Sequence, residues 1–270
     1  MVRIIDKRIL RNLFGYTDYR QNQEECVGNL LRGNDLLAVL PTGRGKSAIY
    51  QIPAIVFHAE MKEKQCLIIT PLLSLMLDQM ESLNRKLCVT PTRDIARMDD
   101  AIGSPVAGRL GDMTPFIFTT PEQLRTSLEA VSMLRLSLIV VDEAHCISGH
   151  GLSFREAYRD LGHLRRLHQN VTICALTATA SPAVRQDIVS LLGLRSGHSI
   201  VVAPVDRQNL KLIVSFRRTI DEDASELARH LGQAQGIVYF QTRDEVIRGC
   251  EALKSNGVSI SAYHAGIEPE

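Results

Sequence analysis

Five short runs of almost wholly apolar residues, 36–40, 66–70, 116–119, 138–142 and 172–176, punctuate the first three quarters of the chain. Between them lie longer segments with apolar residues three and four positions apart: 46–57, 73–83, 121–133, 154–168 and 182–192. A run that is apolar at every position is a strand buried on both faces, and helical spacing between such runs predicts parallel strands joined by helices. The fold expected is therefore α/β, a doubly wound parallel sheet with its ligand at the carboxyl ends of the strands. A turn-rich break follows at Gly193, Ser196, Gly197 and Pro204, after which the pattern restarts. Strands are predicted at 211–216, 236–240 and 258–262, and helices at 221–232 and 243–256. The expected organisation is one full lobe over 1–203 and a partial second α/β lobe over 204–270.

Composition narrows this little. The 270 residues are 45% hydrophobic and 23% charged, and 31 Lys+Arg against 30 Asp+Glu give a net charge of +1. A nucleic-acid partner would have to be met by a local patch, not by bulk charge. No apolar run is long enough to cross a bilayer, and the charged, helical residues 1–13 lack the apolar core of a signal peptide. These features predict an intracellular protein with no membrane partner. None of the six cysteines lies two or four residues from another, so no zinc knuckle is written, and they are expected as buried core residues.

Two motifs carry chemistry. Leu40-Pro41-Thr42-Gly43-Arg44-Gly45-Lys46-Ser47 follows a predicted strand and opens a predicted helix. Glycines there let backbone N–H groups turn onto a polyphosphate, and the helix N-terminus adds its dipole. Lys46 would reach the β and γ phosphates, and Ser47 would offer its hydroxyl to Mg²⁺. Leu40 stands where the usual pattern has its first glycine, and the competing reading is a glycine-rich turn with a solvated lysine. The second motif is Ile139-Val140-Val141-Asp142-Glu143-Ala144-His145, an apolar strand delivering two adjacent carboxylates. Asp142 would hold Mg²⁺ and Glu143 would orient and deprotonate the attacking water; the competing reading is a pair of exposed acids in a turn. Found together, the motifs point to ATP hydrolysis with Mg²⁺.

Asp142-Glu143-Ala144-His145-Cys146-Ile147-Ser148 resembles motif II of the RecQ family of superfamily 2 helicases. The likeness runs from about Phe14 onward and is weakest between Arg85 and Met113. It implies a RecA-like P-loop lobe followed by a partial second RecA-like lobe. It also implies ATP-dependent 3′-to-5′ unwinding of DNA, with single-stranded and duplex DNA as partners, a nuclear location in a eukaryote, and a place in recombination and repair. Phe14-Gly15-Tyr16, Arg20 and Gln23 resemble the family's adenine segment, which would pack Tyr16 and Arg20 on the base and let Gln23 read its edge. The segment from Ile69 to Gln79 resembles motif Ia and the one from Thr119 to Leu124 motif Ib, implying strand-backbone contacts by Pro71, Ser74 and Thr120. Plain helix capping explains the same residues equally well. Ala175-Leu176-Thr177-Ala178-Thr179 resembles motif III, implying that Thr177 and Thr179 couple to the acids or to His145. Asp206-Arg207-Gln208-Asn209-Leu210, Gly236 to Arg243 (motif IV) and Tyr263-His264-Ala265-Gly266 extend the likeness.

Two departures qualify it. The loop after motif II reads Gly149-His150-Gly151-Leu152-Ser153-Phe154-Arg155-Glu156, with His150 where the family carries tryptophan. Phe154 and Arg155 match the family's strand-contacting loop, although Phe154 and Tyr158 have the spacing of two core residues on one helix face. Stacking on an aromatic ring is worth roughly 1–3 kcal/mol per base, so His150 predicts weak stimulation of ATPase by single strands. The sequence given also stops short of motifs V and VI, and in the family motif VI supplies arginines to the γ-phosphate. The expectation is a polypeptide that binds ATP·Mg²⁺, hydrolyses it slowly and does not unwind duplexes. An RNA helicase of the same superfamily and a catalytically weak binding module are the competing functions; comparing stimulation by DNA and RNA, and turnover after Lys46→Ala, separates them.

Overall fold

The computed structural model describes residues 2–60, 64–87, 95–97, 115–150, 154–204, 206, 209–216, 218–232 and 234–267. The chain divides into two compact units, residues 1–207 and 208–270.

The first unit is built on β1 (Leu36–Val39), β2 (Gln65–Ile69), β3 (Ile95–Arg97), β4 (Phe116–Thr119), β5 (Leu136–Val141), β6 (Thr172–Thr177) and β7 (Ser199–Val202). Among the described residues these form one seven-stranded sheet in the order β3-β4-β2-β5-β6-β1-β7, and every pairing is parallel. The helices are α1 (Val2–Phe14), α2 (Gln23–Leu31), α3 (Lys46–Glu60), α4 (Leu73–Leu87), α5 (Pro121–Thr126), α6 (Leu128–Ser132), α7 (Glu156–Arg159), α8 (Gly162–Leu167) and α9 (Pro182–Leu191).

The apolar strands are explained by two cores, one on each face. Alternate residues Leu37, Val39, Leu67, Ile69, Ile139, Val141, Ile173 and Ala175 pack under Tyr158, Leu161, Leu164, Val184 and Ile188. Their neighbours Leu36, Ala38, Cys66, Ile68, Leu138, Val140, Cys174 and Leu176 pack under Cys26, Leu30, Ile49, Tyr50, Ala54, Met76 and Leu83. Successive strand side chains point to opposite faces, so covering both faces demands an apolar residue at every position. Cys26, Cys66, Cys146 and Cys174 are buried free thiols, as expected; Cys88 lies outside the described residues. No helix among the described residues is long and apolar enough to cross a membrane.

The sequence pattern missed β3 and β7 and fused helices that the structure separates. Residues 199–202 fall inside the stretch read as a turn-rich break, because Gly197 and Pro204 flank a strand of only four residues. The helix predicted over 121–133 is interrupted at Ser127, and that predicted over 154–168 becomes α7 and α8. At the amino end of β1 the buried Asp35 carboxylate binds Arg165 Nη2 at 2.6 Å and Arg195 Nη2 at 2.7 Å and accepts from the Ile173 backbone N–H at 2.9 Å. This end of the sheet is thereby closed by structural charge, opposite the ends where the motifs lie.

In the second unit α10 (Ile220–Leu231) and α11 (Arg243–Ser255) pack through Ala224, Ala252 and Leu253 against Val238, Val258 and Ile260. Thr219 and Glu222 form a reciprocal cap on α10, and Thr242 caps α11. The Phe240 ring lies directly on Gly249, leaving no room for a Cβ there. The strands predicted at 211–216, 236–240 and 258–262 do not form: these residues lie in no helix or ladder. Alternating apolar residues favour an extended chain, but a strand exists only through ladder bonds to a neighbour. Leu212, Val214 and Phe216, each at least 90% exposed, have no such neighbour covering them.

Candidate nucleotide and nucleic-acid site

The motif residues collect along the carboxyl edge of the sheet because the last ladder bonds tie their turns together. The Leu40 N–H donates to the Thr177 carbonyl at 2.9 Å, the Asp142 N–H to the Ile69 carbonyl at 2.9 Å, and the Thr70 N–H to the Thr119 carbonyl at 3.1 Å. Turns separated by up to 137 positions in sequence thus emerge side by side (Leu40 against Thr177).

In the loop after β1, Gly43 and Gly45 adopt φ of 81° and 75°, a left-handed backbone open to glycine. Thr42 and Gly43 are exposed, and Ser47 is half-buried in the first turn of α3. Lys46 Nζ donates to the Leu40 carbonyl oxygen at 3.3 Å. The segment expected to meet adenine is pinned onto this loop. Gln23, 4% exposed, donates through Nε2 to the carbonyl oxygens of Arg44 and Gly45 at 3.1 and 2.9 Å and accepts from the Arg20 N–H through Oε1 at 2.8 Å. Arg20 Nη1 donates to the Gly43 carbonyl at 2.6 Å, and its guanidinium carbon lies 5.2 Å from the centre of the exposed Tyr16 ring. Both donor positions of the Gln23 amide are therefore spent on the loop, and a Cβ at Gly45 would stand 2.5 Å from Gln23 Nε2. The Arg44 side chain reaches the same segment, with Nη1 3.5 Å from Gln21 Oε1.

The acids after β5 occupy different environments. Asp142 is 7% exposed; its Oδ1 accepts from the Glu143 N–H at 3.0 Å and its Oδ2 from Gln79 Nε2 at 2.8 Å. Burial raises the Asp142 carboxyl above its ordinary pKa, against the Gln79 hydrogen bond and the Lys46 charge. Glu143 is held at φ 48°, one of two non-glycine residues with left-handed backbone among the described residues; Asn22, beside Gln23, is the other. Such a conformation costs on the order of 1–2 kcal/mol, so both turns are held under strain.

A hydrogen bond from His145 lowers the Glu143 pKa, opposed by burial and aided by Lys46. His145 Nδ1 lies 2.9 Å from Thr177 Oγ1 and 3.2 Å from Glu143 Oε2. Thr177 donates its own proton to the Thr179 carbonyl at 3.0 Å, which leaves Oγ1 as the acceptor and requires a proton on His145 Nδ1. The Cys146 sulfur near Nε2, and then Glu143, push the His145 pKa up to about 9. Of the two residues expected to couple, Thr177 is tied to His145, whereas Thr179 meets the Thr177 hydroxyl through its backbone.

Beside this cluster the residues predicted to meet a strand are partly united. Arg155 Nη1 donates to the Pro71 carbonyl at 2.6 Å and lies 4.0 Å from Glu122 Oε1. It bridges the turn before α4 to the start of α5. Ser74 is exposed in the first turn of α4. Thr120 caps α5, accepting from the Gln123 N–H at 3.3 Å, so capping is realised there. Phe154 is 40% exposed with the Arg159 guanidinium 4.9 Å above its ring, whereas Tyr158 is core, its hydroxyl donating to the Asp142 carbonyl at 3.0 Å. The shared spacing of Phe154 and Tyr158 thus concealed two environments. His150 is exposed, and residues 151–153 of its loop lie outside the described residues, as do Arg207 and Gln208.

Two residues in this cluster were given no role from sequence. Gln79 lies within the stretch resembling motif Ia, but no spacing rule says that its amide reaches the acid of a neighbouring strand. Ser148 was quoted only as part of motif II; buried, it donates to Asp187 Oδ2 at 2.6 Å and ties this turn to α9.

Residues 20–188 match the family described as DEAD/DEAH box helicase. The ATP-dependent DNA helicase RecQ of Haemophilus influenzae is 34% identical over 266 residues, 96% of this chain and 41% of that protein. That of Pasteurella multocida is 36% identical over 271 residues, 96% and 40% of the two chains. The chain spans about two fifths of the length of these relatives. The crystal structure of the DUF1998 helicase MrfA superposes with a TM-score of 0.70 at 19% identity, over 93% of this chain and 40% of that one, a likeness of fold. With the match covering both chemical motifs, the chain belongs to the DEAD/DEAH box helicase family, and the relatives quoted from that family are RecQ helicases.

Proposed function

We propose that residues 1–203 are the ATP-binding RecA-like lobe of a RecQ-type 3′-to-5′ DNA helicase and that residues 204–270 belong to its second RecA-like lobe. The observation that carries this reading is that both motif turns meet the end of β6: the Leu40 N–H donates to the Thr177 carbonyl at 2.9 Å, and His145 Nδ1 lies 2.9 Å from Thr177 Oγ1. The glycine-lysine turn and the acidic pair thereby share the carboxyl edge of a parallel sheet, which is where such folds take their ligands.

The residues fit Mg-nucleotide. The backbone at Gly43 is open to close approach, with nothing within 4 Å of where a Cβ would stand, and buried Asp142 is a hard oxygen donor whose raised pKa a divalent cation would reverse. When bound, Mg²⁺ supplies neutralising charge for the phosphates; Ser47 and Asp142 would hold it. Lys46 would leave the Leu40 carbonyl for the phosphates. Glu143, kept ionised by His145, orients the attacking water and accepts its proton at the carboxylate. A carboxylate held below its ordinary pKa is a weaker base, so its main contribution is orientation. Tyr16 and Arg20 would pack on adenine. Gln23 serves this site by holding the loop's carbonyls; reading the base edge would require it to release them.

Single-stranded DNA would run over Pro71, Ser74, Thr120, Phe154 and Arg155, with duplex DNA ahead of it. Because Arg155 clamps Pro71 and its loop begins at the Asp142 turn, strand contact and hydrolysis share one set of elements. A DNA substrate puts the working compartment with the genome, the nucleus in a eukaryote, and its use there would be recombination and repair. Calorimetry with Mg-ATP tests the reading: uptake by the unsubstituted chain and its loss in Lys46→Ala are expected. No uptake, or equal uptake by the variant, refutes it. Stimulation by single-stranded RNA in place of DNA would instead favour an RNA helicase.

A further inference from the structure

Gln79 is joined to the candidate metal carboxylate by a hydrogen bond whose direction is fixed by chemistry. Carboxylate oxygens only accept, so the atom at 2.8 Å from Asp142 Oδ2 is the amide nitrogen Nε2. The other oxygen, Oδ1, is taken by the Glu143 N–H at 3.0 Å. The two donors come from different elements, α4 and the turn after β5, and together they leave the carboxylate one orientation. The partner oxygen, Gln79 Oε1, is buried and meets no hydrogen-bonding group among the described residues. Thr70 Oγ1 is in the same position, on the residue following the Ile69 carbonyl that accepts from Asp142. Two polar atoms with unspent hydrogen-bonding capacity beside a metal-seeking carboxylate suit a hydrated Mg²⁺, which keeps several of its waters when bound.

The place of Gln79 on α4 adds a second consequence. Residue 79 is five positions after Ser74, about 7.5 Å along the helix axis. The same helix starts just after Pro71, whose carbonyl Arg155 grips at 2.6 Å. A helix is stiff over this length, so a shift of the Pro71–Ser74 turn moves the amide that holds Asp142.

We propose that Gln79 is a positioning residue that sets the Mg²⁺ affinity of Asp142 and reports to it the state of the turn at Pro71 and Ser74. This deepens the nucleotide reading above and rests on it. It assigns no chemistry to Gln79, which touches neither phosphate nor attacking water.

The test is a titration of Mg²⁺ into the full chain with a fluorescent adenine nucleotide, with and without a single-stranded DNA oligonucleotide. The variants are Gln79→Leu, which removes the donor, and Gln79→Glu, which keeps its shape but turns a like charge on Asp142. The Mg²⁺ concentration for half-maximal binding is expected to rise about tenfold in Gln79→Leu and to fall in Gln79→Glu, whose second carboxylate draws the cation, with nucleotide affinity in EDTA unchanged in both. The oligonucleotide is expected to lower that midpoint in the unsubstituted chain and to leave it unmoved in the variants. A structural role alone would shift thermal unfolding and leave the midpoint in place. An unchanged midpoint in Gln79→Glu, the variant closest to the native shape, overturns the proposal even if Gln79→Leu fails to fold. If the unsubstituted chain binds nucleotide without regard to Mg²⁺, the functional reading and this proposal fall together. If it depends on Mg²⁺ and both variants match it, the proposal alone falls.

Discussion

His145 Nδ1 stands 2.9 Å from the hydroxyl oxygen of Thr177, so the turn after β5 and the end of β6 share one proton donor. The same nitrogen faces Glu143 Oε2 at 3.2 Å. A displacement of the Thr177–Thr179 turn therefore changes how the donor is divided between Thr177 and Glu143, and with it the electrostatic hold on the candidate base.

Thr177→Val keeps the side-chain shape and removes the acceptor. Losing one partner of a buried hydrogen bond costs about 1–3 kcal/mol, so thermal unfolding should shift down by several degrees. The His145 proton then goes wholly to Glu143. Basal ATP turnover is expected to survive while stimulation by single-stranded DNA falls; equal loss of both would contradict the coupling.

The raised pKa of His145 makes stability pH-dependent in a defined window. The group binds its proton more tightly folded than unfolded. Its contribution is complete below the unfolded value of about 6.5 and is lost as pH rises through about 9. His145→Asn should lose stability relative to the unsubstituted chain at pH 6 and converge on it by pH 10. A difference in melting temperature that does not change across that range would refute the assignment.

Asp35 behaves with the opposite sign. Burial opposes its charged form, but hydrogen bonds from Arg195 and Ile173 and the Arg165 charge prevail and hold its carboxyl below the usual value. The stabilisation is present above about pH 4 and disappears as pH falls through the folded value. Breaking such a buried pair costs about 3–5 kcal/mol. The Arg195 side chain is 35% exposed, which puts Asp35→Asn at the lower end. Urea unfolding at pH 7 should show that loss with nucleotide affinity retained, because the cluster lies at the opposite end of the sheet from the motifs.

Gly45→Ala meets two obstacles at once, a φ of 75° and the Gln23 amide 2.5 Å from the new Cβ. Relief requires the amide to release the Arg44 and Gly45 carbonyls. Nucleotide affinity measured by calorimetry should drop about tenfold, equivalent to about 1.4 kcal/mol, and Gln23→Ala should show the same loop defect. Wild-type affinity in both would mean that the latch does not shape the loop.

His150→Trp restores a large ring at an exposed position. If weak stacking limits the response to single strands, the substitution should raise DNA-stimulated turnover and leave basal turnover alone, with up to roughly 1–3 kcal/mol available per stacked base. Unchanged stimulation would place the limit elsewhere in the loop.

The sequence alone fixed the parallel sheet of the first unit, because strands covered on both faces must be apolar at every position. It also singled out a candidate phosphate loop and a candidate acidic pair, because glycine, lysine and adjacent carboxylates at strand ends have few other uses in combination. It could not separate Phe154 from Tyr158: helical spacing makes them alike, and only packing put one in the core and left the other at the surface. Nor could it show that Gln23 is spent on the loop's carbonyls or that Gln79 reaches Asp142, since hydrogen-bond partners are set by which turns become neighbours. The strands expected at 211–216, 236–240 and 258–262 show the same limit. Alternation specifies an extended, half-apolar segment, whereas a ladder needs a partner at the right distance, and that is decided in three dimensions.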